Sequence, residues 1–142
     1  MTEQNEQITI AMAKGRLAEQ TMELMEGMGI DVSPLREKSR KLVFESADGR
    51  YRYIMVKPSD VPTYVDHGVA DVGIVGKDTL MEEIRPLYEM LDLGFGKCSI
   101  CVCGYAKQEP LKKAHIRVAT KYTGIAGQVF ATRGSSIEII KL

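Results

Sequence analysis

Lysine recurs at one kind of place in this chain, directly after an apolar run and directly before a helix signal. Ala11-Met12-Ala13 leads into Lys14-Gly15-Arg16, Met55-Val56 into Lys57-Pro58-Ser59-Asp60, and Ile74-Val75-Gly76 into Lys77-Asp78-Thr79. A fourth segment, Ala119-Thr120-Lys121-Tyr122-Thr123, has the same cation and hydroxyl content. The positive end of a helix dipole disfavours Lys and Arg, so folding alone does not explain the pattern. Open backbone N–H groups at a helix start, joined by Lys14, Arg16, Lys57 and Lys77, suit a phosphate or carboxylate, and several such turns together suit a polyphosphate. Taken singly, each lysine also reads as a solvated surface charge, and Asp60 and Asp78 read as helix N-caps. Their recurrence in equivalent places carries the functional reading.

Such turns share an edge only if the strands before them run parallel, which the alternation of strand and helix signals provides. QITIAMA reads as a strand, and Leu17, Leu24, Met25 and Met28, with Thr21 between, form one helical stripe that faces a core and that Gly27 and Gly29 end. Asp31-Val32-Ser33-Pro34 is a turn. KLVFESADGRYRYIMVK predicts a hairpin, with Asp48-Gly49 supplying a turn at positive φ. Ser59 or Asp60 caps a helix over VPTYVDHGVA, DVGIVG is a strand buried on both faces, and TLMEEIR is a helix. YEMLDLGFGKCSICVCGYA is β-rich, and QEPLKKA is a polar loop. IRVATKY, TGIAGQVFATRG and SIEIIKL then give strand, helix and strand. Gly94 and Gly96 mark a crossing, so the expected division is a first α/β lobe over 1–95 and the start of a second over 96–142.

Composition removes several function classes. The 142 residues are 44% hydrophobic and 27% charged, a globular balance. A chain of this size buries roughly 68–70% of its unfolded surface. Nineteen basic and nineteen acidic residues cancel, so no whole-molecule field draws nucleic acid or anionic lipid, and an anion site must be local. The start, MTEQNEQ, has no apolar core of a signal, and no window approaches the roughly 18 apolar residues of a membrane span. The expectation is a cytoplasmic protein that binds neither nucleic acid nor membrane. Cys98, Cys101 and Cys103 are expected as buried strand residues, because the Cys98-x-x-Cys101 pair lacks the second pair a zinc site needs. Met22, Met25, Met28, Met55, Met81 and Met90 are expected as core filler. His67 and His115 are assigned no role. GxGxxG and GxxxxGK[ST] are both absent, which removes the two commonest nucleotide fingerprints.

The segments ITIAMAKGRL, IMVKPSDVPTYVDHGVADVGIVGKD and IRVATKY resemble the ATP phosphoribosyltransferase family of histidine biosynthesis, in particular its short form. The resemblance implies a two-lobed α/β fold similar to type II periplasmic binding proteins, with the active site in the cleft between lobes. It implies attack of N1 of ATP on C1 of phosphoribosyl pyrophosphate, with pyrophosphate leaving and Mg²⁺ assisting. By position, Lys14, Gly15 and Arg16 hold the nucleotide or pyrophosphate, and Lys57 and Asp60 line the cleft. Gly76 and Lys77 border purine and ribose, and Thr120, Lys121 and Tyr122 approach from the second lobe. The family also implies a homodimer and a histidyl-tRNA-synthetase-like regulatory subunit.

Three departures stand out. The family's Glu-, Thr- and Gly-rich loop for the 5-phosphate lies beyond EIIKL, so the second lobe is expected to be incomplete and the polypeptide catalytically incomplete. Thr123 stands where the family commonly has proline, and Gly127 interrupts the following helix. From another class, the alternative is a non-catalytic binding module for small molecules or anions on the same two-lobed fold.

Overall fold

A central strand with two different faces organises the first part of the chain. The computed structural model describes residues 7–37, 39–105, 107 and 110–142. Part of the polar start and Gln108 and Glu109 of the expected loop lie outside the described residues. Packing divides the chain into two units, Met1–Lys97 and Cys98–Leu142.

In the first unit, β1 (Ile8–Ala13) lies between β3 (Tyr51–Val56) and β4 (Val72–Ile74), parallel to both, and β2 (Val43–Glu45) adds antiparallel outside β3. Successive side chains of a strand point to opposite faces. Ile10 and Met12 therefore pack with Ala18, Met22 and Met25 of α1 (Arg16–Gly27), with Val32 and with Tyr53. Ala11 and Ala13 meet Val61 of α3 (Val61–Asp66) and Ala70 on the other face. Small residues bring α3 close: a Cβ added to Gly73 would sit 2.8 Å from Val61 Cγ1 and 2.9 Å from Val65 Cγ2. The result is a mixed α/β unit with a helix on each face of its sheet.

Two expectations about this core need correction. The buried stripe of α1 is Ala18, Thr21, Met22 and Met25, while Leu24 and Met28 are exposed. Thr21 is tolerated there because its hydroxyl donates to the Leu17 carbonyl at 2.8 Å. Met81 and Met90 are exposed as well, so methionine does not mark the core throughout.

The turn after α1 contains one helical turn, α2 (Ser33–Arg36), and is pinned by Asp31. The Asp31 carboxylate accepts the Ala47 N–H at 2.9 Å, the Ser33 hydroxyl at 2.6 Å and the Ser33 N–H at 3.0 Å. These donors favour its charged form and hold its pKa below the ordinary aspartate value. The Tyr53 hydroxyl donates to the Asp31 carbonyl at 2.7 Å, and burial of that ring pushes its pKa up to about 12. In the hairpin only Gly49 has positive φ, +69°, so the loop is longer than a two-residue turn with both residues left-handed. Buried Ser46 closes it, its N–H donating to the Tyr51 carbonyl and its hydroxyl to Asp48.

After β4 comes α4 (Lys77–Glu83). Val72 is exposed, which corrects the expectation of a strand buried on both faces: among the described strands β4 pairs with β1 alone. The segment expected to be β-rich forms neither helix nor strand across 84–105, and Cys98, Cys101 and Cys103 are all exposed. A strand requires a partner as well as a propensity, and no described strand pairs with this run.

The second unit contains a strand–helix–strand motif. β5 (His115–Thr120) and β6 (Ser136–Lys141) pair in parallel, and α5 (Thr123–Thr132) buries Ile125 and Phe130.

Candidate functional site

In the first unit the register places three of the sequence-marked turns side by side. Ala13 pairs with Val56 and Met12 with Ile74, so the chains leaving β1, β3 and β4 emerge at one edge. Neighbouring strands lie about 4.8 Å apart. The edge is the carboxyl end of the parallel strands, where open α/β sheets bind ligands.

Each turn contributes differently. After β1, Gly15 is the N-cap of α1 at φ +103° and ψ −158°, a region that side chains with a Cβ avoid. No side chain caps the helix, so its first-turn amides remain open to an acceptor from outside. Lys14 and Arg16 flank that opening and are exposed. After β3, Lys57 is exposed, and its carbonyl accepts the Asp60 N–H at 2.9 Å across a 3₁₀ turn at Pro58–Asp60. Asp60 is half-buried and takes the Ser59 hydroxyl at 3.2 Å, but neither residue makes the expected side-chain cap on α3. After β4, Gly76 is the N-cap of α4, and a Cβ there would run into the Asp78 carboxylate.

The cations are not equivalent. Among the described residues no ion pair joins Lys14, Arg16 or Lys57 to a carboxylate, whereas Lys77 pairs with Glu89. Lys77 and Glu89 lie in a shallow concavity with Pro62, Leu80 and Arg85. Glu89 escaped the sequence reading because no local spacing links it to Lys77, twelve residues away. Among the described residues the edge thus holds three cations without a carboxylate partner, one cation compensated by Glu89, and the carboxylates of Asp60 and Asp78.

Thr120, Lys121 and Tyr122 belong to the second unit and form the turn between β5 and α5. The Thr120 hydroxyl accepts the Tyr122 N–H at 3.0 Å, and the Lys121 ammonium lies 4.5 Å from the centre of the Tyr122 ring. A cation held over an aromatic face gives this turn a fixed positive charge.

Residues 57–142, from the second turn through the fourth, match the family model HisG, ATP phosphoribosyltransferase. The chain belongs to the ATP phosphoribosyltransferase family. It is 52% identical over 134 residues to the ATP phosphoribosyltransferase of Alkaliphilus metalliredigens, covering 94% of this chain and 64% of that one. The Lachnospira eligens family member is 51% identical over 139 residues, with 95% and 64% covered. A similar solved structure is the ATP phosphoribosyl transferase (HisG:HisZ) complex from Thermotoga maritima, at TM-score 0.67 and 27% identity, covering 95% of this chain and 64% of that one. The chain therefore spans a little under two thirds of the length of the family members it matches.

Proposed function

We propose that the chain provides the anion-holding edge of an ATP phosphoribosyltransferase of histidine biosynthesis, which joins N1 of ATP to C1 of phosphoribosyl pyrophosphate and releases pyrophosphate. The observation that carries the reading is the convergence of Lys14, Arg16 and Lys57 with the uncapped N-terminus of α1 at one sheet edge. Family membership supports it.

The roles follow from charge and geometry. Gly15 lets backbone amides approach a phosphate without a Cβ in the way, while Lys14 and Arg16 neutralise it. Lys57 adds charge from the adjacent turn. Gly76 and Lys77 border the nucleoside, with Glu89 holding the ammonium in place. In the second unit, Thr120, Lys121 and Tyr122 carry a hydroxyl, a cation and a ring on one turn. Displacement at an anomeric carbon needs little covalent help, so positioning and charge neutralisation supply most of the rate.

Mg²⁺ fits such a site as a partner of substrate phosphates, since it typically uses one or two carboxylates, phosphate oxygens and water. Asp60 is a carboxylate at the edge able to serve it. When bound, the ion would neutralise developing charge on the leaving pyrophosphate.

The finer fold reading is a pair of lobes like those of type II periplasmic binding proteins, supported by the parallel sheet with a helix on each face. A cytoplasmic homodimer with a histidyl-tRNA-synthetase-like regulatory subunit completes the proposal, and the Thermotoga maritima family member was solved as a HisG:HisZ complex. Among the described residues no helix is long and apolar enough to cross a membrane.

The test is calorimetric titration of the folded chain with ATP and with phosphoribosyl pyrophosphate, each with Mg²⁺. Saturable binding of either supports the site. Binding of unrelated carboxylates or sugars with equal affinity, and indifference to both substrates, would refute it.

A further inference from the structure

Glu89 reaches Lys77 only because the chain doubles back after α4, and the reversal runs against local preference. Ile84, at its start, has φ +27°, the one positive value among the described residues other than glycine. A branched side chain is disfavoured there, and such strain persists where surrounding contacts hold it. Those contacts are present: the Arg85 guanidinium donates to the Asp66 carboxylate on α3 at 2.7 Å, and the Leu87 N–H donates to the Arg85 carbonyl at 2.7 Å. What the reversal delivers is a pairing of the Glu89 carboxylate with the Lys77 ammonium. With side chains 62% and 44% exposed, that pair adds little to stability, so stability does not account for it.

The effect of the pair is electrostatic. The end of the edge formed by β1 and β3 carries Lys14, Arg16 and Lys57 against the carboxylate of Asp60. At the β4 end Lys77 is cancelled by Glu89, Asp78 and Glu83 lie on the same short helix, and Arg85 is engaged by Asp66. The concavity beside Lys77 is lined by the apolar groups of Pro62, Leu80, Leu87 and Tyr88. We propose that Glu89 is a specificity-determining residue for a nucleoside polyphosphate: by cancelling Lys77 it makes the β4 end a subsite for the uncharged nucleoside and confines the phosphates to Lys14, Arg16 and Lys57. That role presupposes the anion-holding edge and adds the direction in which the substrate lies along it. Turned end for end, a triphosphate would meet Glu89, Asp78 and Glu83, like charges that repel it, while the nucleoside would cover three cations and strip them of water. Without Glu89 a free Lys77 ammonium would make both ends cationic and bring the two directions closer in energy.

Calorimetric titration of the 142-residue chain with inorganic tripolyphosphate and with ATP separates the two ends. Lys14→Ala should weaken tripolyphosphate binding by about tenfold or more. Lys77→Ala should change it by less than about twofold. Glu89→Gln should tighten tripolyphosphate by about three- to fivefold, a gain that the Lys77→Ala/Glu89→Gln double variant loses, and should cut the preference for ATP over tripolyphosphate by a similar factor. A parent chain that binds no tripolyphosphate would refute the edge as an anion site and this role of Glu89 with it. A parent chain that binds, with affinity in Glu89→Gln unimproved or Lys77→Ala as damaging as Lys14→Ala, would refute the role of Glu89 alone. A purely structural pair would show as a lowered melting midpoint of Glu89→Gln with tripolyphosphate affinity unchanged, which also overturns the proposal.

Discussion

At the scale of single residues, the candidate site depends on one backbone conformation and on charges left open. Gly15 at φ +103° and ψ −158° has no neighbour within 4 Å of where a Cβ would be, so within the fold it is backbone preference, not crowding, that selects glycine there. Gly15→Ala should destabilise the chain by about 1–3 kcal/mol in denaturant titration, and an unchanged midpoint would refute the conformational argument. Arg16 makes no ion pair among the described residues, so it contributes little to the fold. Arg16→Ala should leave the melting temperature in place and weaken ATP binding by about 1.5–3 kcal/mol, the range for a hydrogen bond to a charged group. Undiminished affinity in that variant would remove Arg16 from the site. The sequence revealed both residues because a glycine between two cations at a helix start runs against the helix dipole. It did not reveal that Glu89 compensates Lys77, since that contact depends on how the segment after α4 folds back.

At the scale of elements, two glycines that look alike in the sequence have opposite roles. Gly73 sits where α3 crosses β4, and an added methyl would press on the stiff branched side chains of Val61 and Val65. Gly73→Ala should therefore cost about 1–3 kcal/mol. Gly127 lies inside α5, where a Cβ would rest 3.9 Å from Ile139 Cδ1, an ordinary contact. Gly127→Ala should stabilise the second unit by about 0.5–1 kcal/mol, through helix propensity and a less flexible unfolded chain. Thermal melts of the two variants should move in opposite directions. The junction of α2 and the hairpin adds a pH dependence. Hydrogen bonds from Ala47 and Ser33 lower the pKa of Asp31, and those from the Ser46 hydroxyl and the Arg50 N–H lower that of Asp48. A depressed carboxylate pKa stabilises the fold above its unfolded value, 3.8 here, and that stability is lost as pH falls through the folded values below it. Asp31→Asn should thus lower the melting midpoint at neutral pH, and the gap to the parent should shrink well below pH 3.8. A constant gap would contradict the assignment.

The same scale shows what was legible in the sequence. β1 with α1, the hairpin and the β5–α5–β6 motif follow from periodicity, turn glycines and β-branched runs, which are local signals. The helical stripe was legible at Thr21 and Met25 and slipped at Leu24 and Met28, which are exposed while Ala18 and Met22 are buried. The run 98–105 has strand composition without a strand, because a ladder depends on a partner that composition cannot supply. The shared edge was legible only as a recurrence of turns, and the parallel register turned that recurrence into proximity.

At the scale of the whole molecule, the charge balance and the two-unit division determine how the chain responds to attack from solution. With 19 basic and 19 acidic residues, lysines and arginines are spread over both units, so trypsin has no shortage of chemically suitable bonds. What distinguishes them is backbone protection. Lys14 and Arg16 join the central strand to its helix, where cleavage requires the sheet edge to open, and the bonds after Lys57 and Arg85 resist trypsin because proline follows each. Arg85 is tied to Asp66 at 2.7 Å. Lys97, by contrast, lies at the boundary between the units in a stretch without helix or strand, and Lys107 follows the exposed run. Proteolysis samples locally open states, and these two bonds, like those after exposed Arg40 and Lys41, need little opening. Brief trypsin treatment should cut after Lys97 and Lys107 before it cuts after Lys14 or Arg16, and leave a first-unit fragment in which β1 and α1 are still joined. If that fragment then melts cooperatively, the unit carrying Lys14, Arg16 and Lys57 folds on its own contacts. Early cleavage after Lys14 or Arg16 would instead mean that the candidate edge is open in solution, with no preformed cradle for an anion.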